Sequence, residues 1–170
     1  MTTTNIIRNL RHGTLVIQDG SSPDPIALTI HFDKGDLSWT ERTQTVLVRD
    51  RGSIHRGHLR RGDEEPVELS FTAYWTQLIG RSDDVADALQ LYELLNFLSG
   101  LGVVSTSADG EQETLLFEFT IHDPAGEASE SIVFGKVYKD TLTLRESPDR
   151  NEIVFKGFDF EPRPTVFRTP

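Results

Sequence analysis

A chain of 170 residues is long enough to bury one hydrophobic core and short for two, so a single domain over residues 1–170 is expected. A formal charge of −10 makes most of the surface repel nucleic-acid phosphates, and the absence of cysteine excludes disulfides, thiolate metal sites and a cysteine nucleophile. The N-terminal MTTTNIIRNLRHG lacks the apolar run of a secretion signal, and no segment approaches the roughly 18–20 apolar residues that cross a bilayer; the chain is expected to be soluble when made, without a membrane partner.

Alternation of apolar and polar residues dominates the chain. TLVIQDG predicts a strand running into a turn at Asp19 and Gly20. PIALTIHF sets Ile26, Leu28, Ile30 and Phe32 on one face, and DKGD then turns the chain into LSWT, so a hairpin is expected over Ile26–Thr40. TQTVLV predicts a further strand. PVELSFTAYW places Val67, Leu69, Phe71 and Ala73 opposite Glu68, Ser70, Thr72 and Tyr74. The segment between these two strands, 48–66, is expected to be an extended basic loop.

One helix is predicted, in SDDVADALQLYELLNFLSG. Ser82 or Asp83 caps it, Asp83, Asp84 and Asp87 complement its positive end, and Gly100 is a left-handed stop. Its apolar stripe packs on a sheet. Strands return with ETLLFEFTIHD and SESIVFGKVY; DTLTLRE and EIVFKGFDFEP then flank the turn SPDRN. A Pro-rich tail, 161–170, is expected to lie extended along a neighbouring surface. The predicted class is mainly β, a β-sandwich or barrel with one flanking α-helix.

Motifs that carry chemistry are sparse. Gly52, Gly57 and Gly62 match neither the P-loop nor the dinucleotide fingerprint. His55 and His58 have a ligand-like spacing, but the surrounding arginines oppose a divalent cation, so no metal and no cofactor are expected. His31 and His122 fall on polar strand faces. Gly52–Ile54 lacks the setting of a serine nucleophile, and 27 acids offer carboxylate pairs without selecting one. No enzymatic activity is expected. Trp39 and Trp75, near strand ends, either close the core or form a ligand-stacking platform.

The conspicuous feature is VRDRGSIHRGHLRRGDEEP. Residues 49–61 carry +4, five arginines against Asp50, which leaves −14 on the rest of the chain. Such a segment serves either nucleic acid or an acidic protein surface. Arg49, Arg51, Arg56, Arg60 and Arg61 are suited to two-pronged bonds with carboxylates. The run Asp63, Glu64 and Glu65 either keeps the loop solvated or pairs across an interface.

The order of elements, namely a short strand GTLVIQDG, a hairpin ending KGDLSWTE, a long basic excursion, EEPVELSFTAYW, a helix and a closing ESIVFGKVYKDTLTLRESPDRNEIVFKGFDFEPRP, resembles the tail tube proteins of long-tailed bacteriophages over nearly the whole chain. The resemblance implies a subunit whose six copies close into a ring, with inner strands joined in a continuous barrel and rings stacked into a hollow tube that delivers DNA. It implies that the long loop reaches the neighbouring ring, making Arg49, Arg51, Arg56, Arg60, Arg61, Asp63, Glu64 and Glu65 inter-ring contacts. Glu68, Glu118, Glu130 and Asp140 are then expected to be acids lining the lumen, past which DNA slides without specific binding. The implied partners are other copies and other phage tail proteins, and the implied location is the virion, after synthesis in the host cytoplasm. A terminator or tail-end ring, a secretion-type tube component, or a ligand-binding β-sandwich are the alternatives.

Overall fold

The computed structural model describes residues 13–30, 37–49, 57–75, 78, 89–98, 102–122, 129–149, 151–161 and 164–169. Among them ten strands form: β1 (Gly13–Gln18), β2 (Ala27–Ile30), β3 (Ser38–Thr40), β4 (Thr43–Arg49), β5 (Gly57–Glu64), β6 (Val67–Tyr74), β7 (Thr114–His122), β8 (Ser129–Glu146), β9 (Asn151–Asp159) and β10 (Thr165–Thr169). A five-residue helix, α1 (Leu91–Leu95), stands between β6 and β7. The mainly β class read from the alternation is what the chain adopts.

Eight strands make one antiparallel sheet in the order β2-β1-β7-β8-β9-β6-β3, with β10 added beside β8. Strand β8 organises it. Its 18 residues pair with β7 through 129–138 and with β9 through 137–146, while β10 covers 129–133. Because Val137 and Tyr138 pair with both β7 and β9, those two strands lie on opposite edges of β8. The register slips between Leu115 and Phe117 against β7 and between Lys139 and Thr141 against β9, and such bulges bend a strand and raise its twist.

The bend folds the sheet on itself. β7 and β6 are three strands apart in hydrogen-bonding order, about 14 Å in a flat sheet, yet the rings of Phe117 and Phe71 lie 6.0 Å apart. Phe155 on β9 completes the cluster, 4.9 Å from Phe71 and 5.3 Å from Phe117. One half-sheet (β2, β1, β7, the first part of β8, β10) therefore faces the other (the second part of β8, β9, β6, β3). Leu15, Ile17, Phe134, Ile153 and Val67 fill the same fully buried interior. Trp39 lies at one margin, still exposed, its indole 6.5 Å from Phe119 and 6.0 Å from Phe134, whereas Trp75 is partly buried against the core.

The alternation in PIALTIHF is confirmed over its described part, with Ile30 buried and Ala27 and Thr29 exposed. The hairpin expected over Ile26–Thr40 is not. β2 pairs with β1 and β3 pairs with β6, at opposite ends of the sheet, because each short strand finds a longer apolar neighbour to extend. SESIVFGKVY and DTLTLRE, read as separate strands, are one continuous β8.

Asp19 fixes the turn after β1. Its carboxylate accepts from the Ser21 hydroxyl (2.7 Å) and from the backbone N–H groups of Ile26 (2.7 Å), Val104 (3.0 Å) and Ser21 (3.2 Å). Burial pushes the carboxyl up, but these donors together outweigh it and hold the pKa below the ordinary value. Val104 belongs to a strap, 102–107, that Thr106 ties to β7 and β8: its N–H donates to the Thr114 carbonyl (2.9 Å) and its hydroxyl to the Gly135 carbonyl (3.1 Å).

The predicted helix is described only in its last part. Ser82, Asp83, Asp84 and Asp87, assigned to its cap and first turn, lie outside the described residues, as does the expected stop Gly100. The described turn begins after Gln90, whose N–H donates to Glu93 Oε2 at 3.0 Å, and ends at Asn96 and Phe97, where Phe97 takes a positive φ of 48°. Leu94 and Leu95 are buried against the sheet, and the Lys139 ammonium donates to Asn96 Oδ1.

Phe117→Ala removes the ring shared by both half-sheets and is expected to destabilise the fold by about 3–5 kcal/mol. Guanidinium unfolding followed by tryptophan fluorescence measures this; a loss below about 1 kcal/mol would show that the half-sheets are held together elsewhere.

Candidate assembly surfaces

The segment read as a basic loop is mostly a β-hairpin arm. β4 and β5 pair antiparallel with each other, and neither pairs with the eight-stranded sheet. The arm leaves between β3 and β6, where the Glu65 N–H donates to the Arg42 carbonyl (3.3 Å) and the Arg42 guanidinium grips Glu68 by two bonds of 3.1 and 3.2 Å. At its base the register slips between Thr43 and Thr45, and Gly62 sits so close to Gln44 that a Cβ there would lie 2.9 Å from the Gln44 carbonyl oxygen. Alternation rich in β-branched residues in TQTVLV explains β4. GHLRRGDE carries no comparable apolar alternation, so β5 forms because β4 offers it a ladder.

Of the residues assigned to contact between rings, Arg51 and Arg56 lie outside the described residues, and Arg49 ends β4. Arg60, Arg61 and Asp63 are exposed on β5, while Glu64 and Glu65 are half-buried. Arg61 pairs with Glu64 within the arm, and Glu65 accepts from Gln44 Nε2 at 3.1 Å. Glu64 and Glu65 are therefore each engaged inside the chain. The arm also carries apolar surface: Val46 is 49% and Leu47 53% exposed. A two-stranded hairpin with so much exposed apolar surface gains little stability by itself.

The four acids assigned to a lumen do not share a face. Glu68 points outward from β6, and Asp140 lies at the β8 bulge; together with Ser38, Thr40, Ser70 and Lys156 they line a groove of about 310 Å³. Glu118 alternates with the buried Phe117 and Phe119, so it faces outward from the opposite half-sheet. Glu130 shares the parity of Phe134 and falls opposite Ile121 and Arg168. Period-two alternation placed each acid on a strand but was silent on which half-sheet the strand joins.

The outer face of the β3-β6-β9-β8 half is hydroxyl-rich and mixed in charge. Ser70 lies opposite Lys156, Thr143 opposite Val154 and Arg145 opposite Glu152, with Ser38 and Ser70 hydroxyls 2.7 Å apart. Both edges of this half are open among the described residues: β3 is the last strand on one side, and beyond Tyr138 β8 has β9 on only one edge.

Beside the base of the arm, Tyr138, Phe158 and Phe160 form an aromatic surface that alternation did not single out. Tyr138 stacks on Phe158 at 5.9 Å and meets Phe160 at 5.4 Å. Phe160 lies just past β9 and is 53% exposed, held there because its N–H donates to the Lys136 carbonyl (3.1 Å). Asp159 anchors this corner. Its side chain is fully buried, and Oδ1 accepts from the N–H groups of Lys136 (3.0 Å) and Glu161 (3.1 Å). Desolvation pushes its carboxyl up, more than these two bonds pull it down, and Glu161 adds a like charge. The tail, expected to lie extended along a neighbouring surface, does so within the chain as β10, antiparallel to β8, with Val166 and Phe167 exposed.

His122, expected on a polar face, is exposed and its Nε2 lies 3.3 Å from the Thr14 hydroxyl; His31 and His55 lie outside the described residues. Among the described residues no group of three or more His, Asp or Glu side chains is placed to hold a metal ion, and no helix is long and apolar enough to cross a membrane.

No protein-family model and no curated protein matches the chain in sequence. Solved structures do match its fold. A chain of the anti-feeding prophage baseplate, 6-fold symmetrised, superposes with a TM-score of 0.61 at 7% identity, over 98% of this chain and 97% of that one. A chain of the anti-feeding prophage cap, which terminates the tube, gives 0.61 at 11% identity, covering 99% and 96%. A chain of the sheath–tube complex of an extracellular contractile injection system, PVC, in its extended state gives 0.53 at 11%, covering 91% and 88%. At these identities the likeness is one of fold, and it extends end to end.

Asp159→Asn keeps the acceptor for Lys136 and Glu161 while removing the charge. Because the folded pKa of Asp159 lies above its unfolded value, its contribution is fully present below the ordinary carboxylate pKa and is lost as pH rises through the raised one. The Asn variant is therefore expected to gain on the wild type as pH rises from about 3.5 to 7. Parallel denaturant titrations at several pH values would show a constant difference if Asp159 were not raised.

Proposed function

We propose that the chain is a structural subunit of a phage-tail-like particle, closing with copies of itself into rings, six to a ring, that stack into a hollow tube. The observation that carries this reading is the end-to-end likeness to chains of the anti-feeding prophage cap and baseplate, with TM-scores of 0.61 and nearly complete coverage of both partners. The six-fold symmetry belongs to the baseplate structure; its extension to this chain is part of the proposal.

The geometry supplies a physical route. Open edges at β3 and the far part of β8 leave backbone N–H and C=O groups unpaired, and a closed ring satisfies such edges without unlimited growth. Joining the β8 edge of one copy to the β3 edge of the next continues the four-stranded half around a lumen, with its hydroxyl-rich outer face turned inward. Glu68 lines that lumen and Asp140 sits at its margin; Glu118, on the opposite half-sheet, faces away. A ring of six carries about −60 in total, which favours passage of DNA over its retention. The arm then joins one ring to the next, several weak contacts around the ring adding to a firm stack. The role is structural, with no catalytic step, and the location is the particle.

A second reading, a ring that ends a tube, is favoured by the match to the tube-terminating cap. The two differ in the product of self-assembly.

Negative-stain microscopy of the purified chain is expected to show rings and tubes. Single rings that never lengthen favour the capping role, and monomers at every concentration overturn both. Arg60→Glu with Arg61→Glu is expected to shift tubes to unstacked rings while circular dichroism stays unchanged, and raising salt from about 0.1 to 1 M weakens stacking in the wild type. Tubes of normal length from the double variant would remove the arm from the stacking contact.

A further inference from the structure

Lys139 is the first residue of β8 past the end of the β7 ladder, at the point where the strand crosses from one half-sheet to the other. Register sets its neighbours on both edges. Across from it on β9 is Gly157, which has no side chain, and the Phe155 ring fills the place of the missing group: a Cβ there would lie 2.6 Å from Cζ. On the other edge the last β7 pair is Thr114 with Tyr138, so the next step along the two antiparallel backbones sets Glu113 opposite Lys139. Residues placed in this way bring their Cβ atoms to about 5 Å. Lys139 also shares the parity of the buried Val137, which directs its side chain to the inner side of the sheet, where α1 ends.

Asn96 closes α1 at that place, and its carboxamide is held at both ends. Nδ2 donates to the Tyr92 carbonyl (2.7 Å), while Oδ1 accepts from Lys139 Nζ (2.5 Å). With a C=O bond of about 1.23 Å, an Nζ to Oδ1 distance of 2.5 Å puts the amine nitrogen no more than about 3.7 Å from Asn96 Cγ at any angle. A nucleophile poised to attack a carbonyl carbon sits about 3–3.5 Å away. Leu95 and Phe97, the chain neighbours of Asn96, pack against the core, and Asn96 and Lys139 are both half-buried. Withdrawal from water pushes the Lys139 amine below its ordinary pKa against the opposing charge of Glu113, and so raises the share of neutral, nucleophilic amine.

We propose that Lys139 and Asn96 join in an isopeptide bond that the chain forms by itself, with Glu113 as the proton carrier. The Lys139 ammonium gives one proton to the Glu113 carboxylate, and the freed lone pair attacks Asn96 Cγ. As the Nζ–Cγ bond forms and the Cγ–Nδ2 bond breaks, a second proton passes from Nζ to Nδ2, which leaves as ammonia. The proton on Glu113, an exposed residue, then returns to solvent. No oxidant and no second substrate enters the step. The product ties the end of α1 to the middle of β8 and closes residues 96–139 into a covalent loop, which restricts the unfolded state as a disulfide does. A chain without cysteine has no disulfide to do this. The bond lies within one copy and is independent of assembly.

Intact-mass spectrometry of the purified chain tests the bond. The chain is expected to be lighter than its sequence mass by one ammonia, and its digest to contain one branched peptide joining residues 96 and 139. Lys139→Arg and Glu113→Gln are each expected to restore the full sequence mass with circular dichroism unchanged, and Lys139→Arg to lower the unfolding temperature. A wild-type chain of full sequence mass, or one lighter by ammonia whose digest holds no branched peptide, overturns the bond. A Glu113→Gln chain that still yields the branched peptide overturns Glu113 as the proton carrier.

Discussion

The contact between Phe71, Phe117 and Phe155 requires that a single hydrogen-bonded sheet turn back on itself, and most other features follow from how that turn is made. β8 makes it by running through both half-sheets, bulging near Gly135 and again at Asp140. A strand shared by two faces leaves part of its length paired on one edge only, and the far part of β8 is in that position. The same fold that buries the aromatic cluster thus creates the open edge through which copies can join. Stability and association are two consequences of one bend.

The arm follows a different logic. It has a ladder of its own, and Val46 and Leu47 keep about half of their surface exposed in the isolated chain. Its charges are divided along its length, acids near the base and arginines beyond. The basal acids are used locally: Glu64 takes Arg61, Glu65 takes Gln44, and Glu68 beside them takes Arg42. Exposed pairs of this type contribute little to stability, about 0–1 kcal/mol each. Their effect is to set the angle at which the arm departs, leaving Arg60 and the apolar positions presented outward.

Among the described residues the buried acids Asp19, Glu93 and Asp159 each hold backbone N–H groups. Asp19 ties the β1–β2 turn to the strap at Val104, and Asp159 ties the end of β9 to Lys136 and Glu161. The first is rich in donors and keeps its charge easily; the second has two and keeps it at a cost. That difference makes the end of β9, beside Phe160, sensitive to pH.

Most strand positions, the buried faces of β6 and β7, and the singular charge of residues 49–61 were legible in the sequence alone, because alternation with period two is a local property that burial on one face imposes. The β class and the core residues Val67, Leu69, Phe71 and Phe117 follow from that pattern. Pairing was not legible. β2 and β3, adjacent in the chain, sit at opposite ends of the sheet, and Glu68 and Glu118, alike in pattern, face opposite ways, since alternation tells the two sides of a strand apart but not which strand lies beside it. Only the tertiary structure decided that GHLRRGDE is a strand, that the proline-flanked tail pairs with β8, and that Tyr138, Phe158 and Phe160 cluster at the end of β9: each depends on partners distant in sequence, whose approach is settled by how the whole sheet folds over its aromatic core.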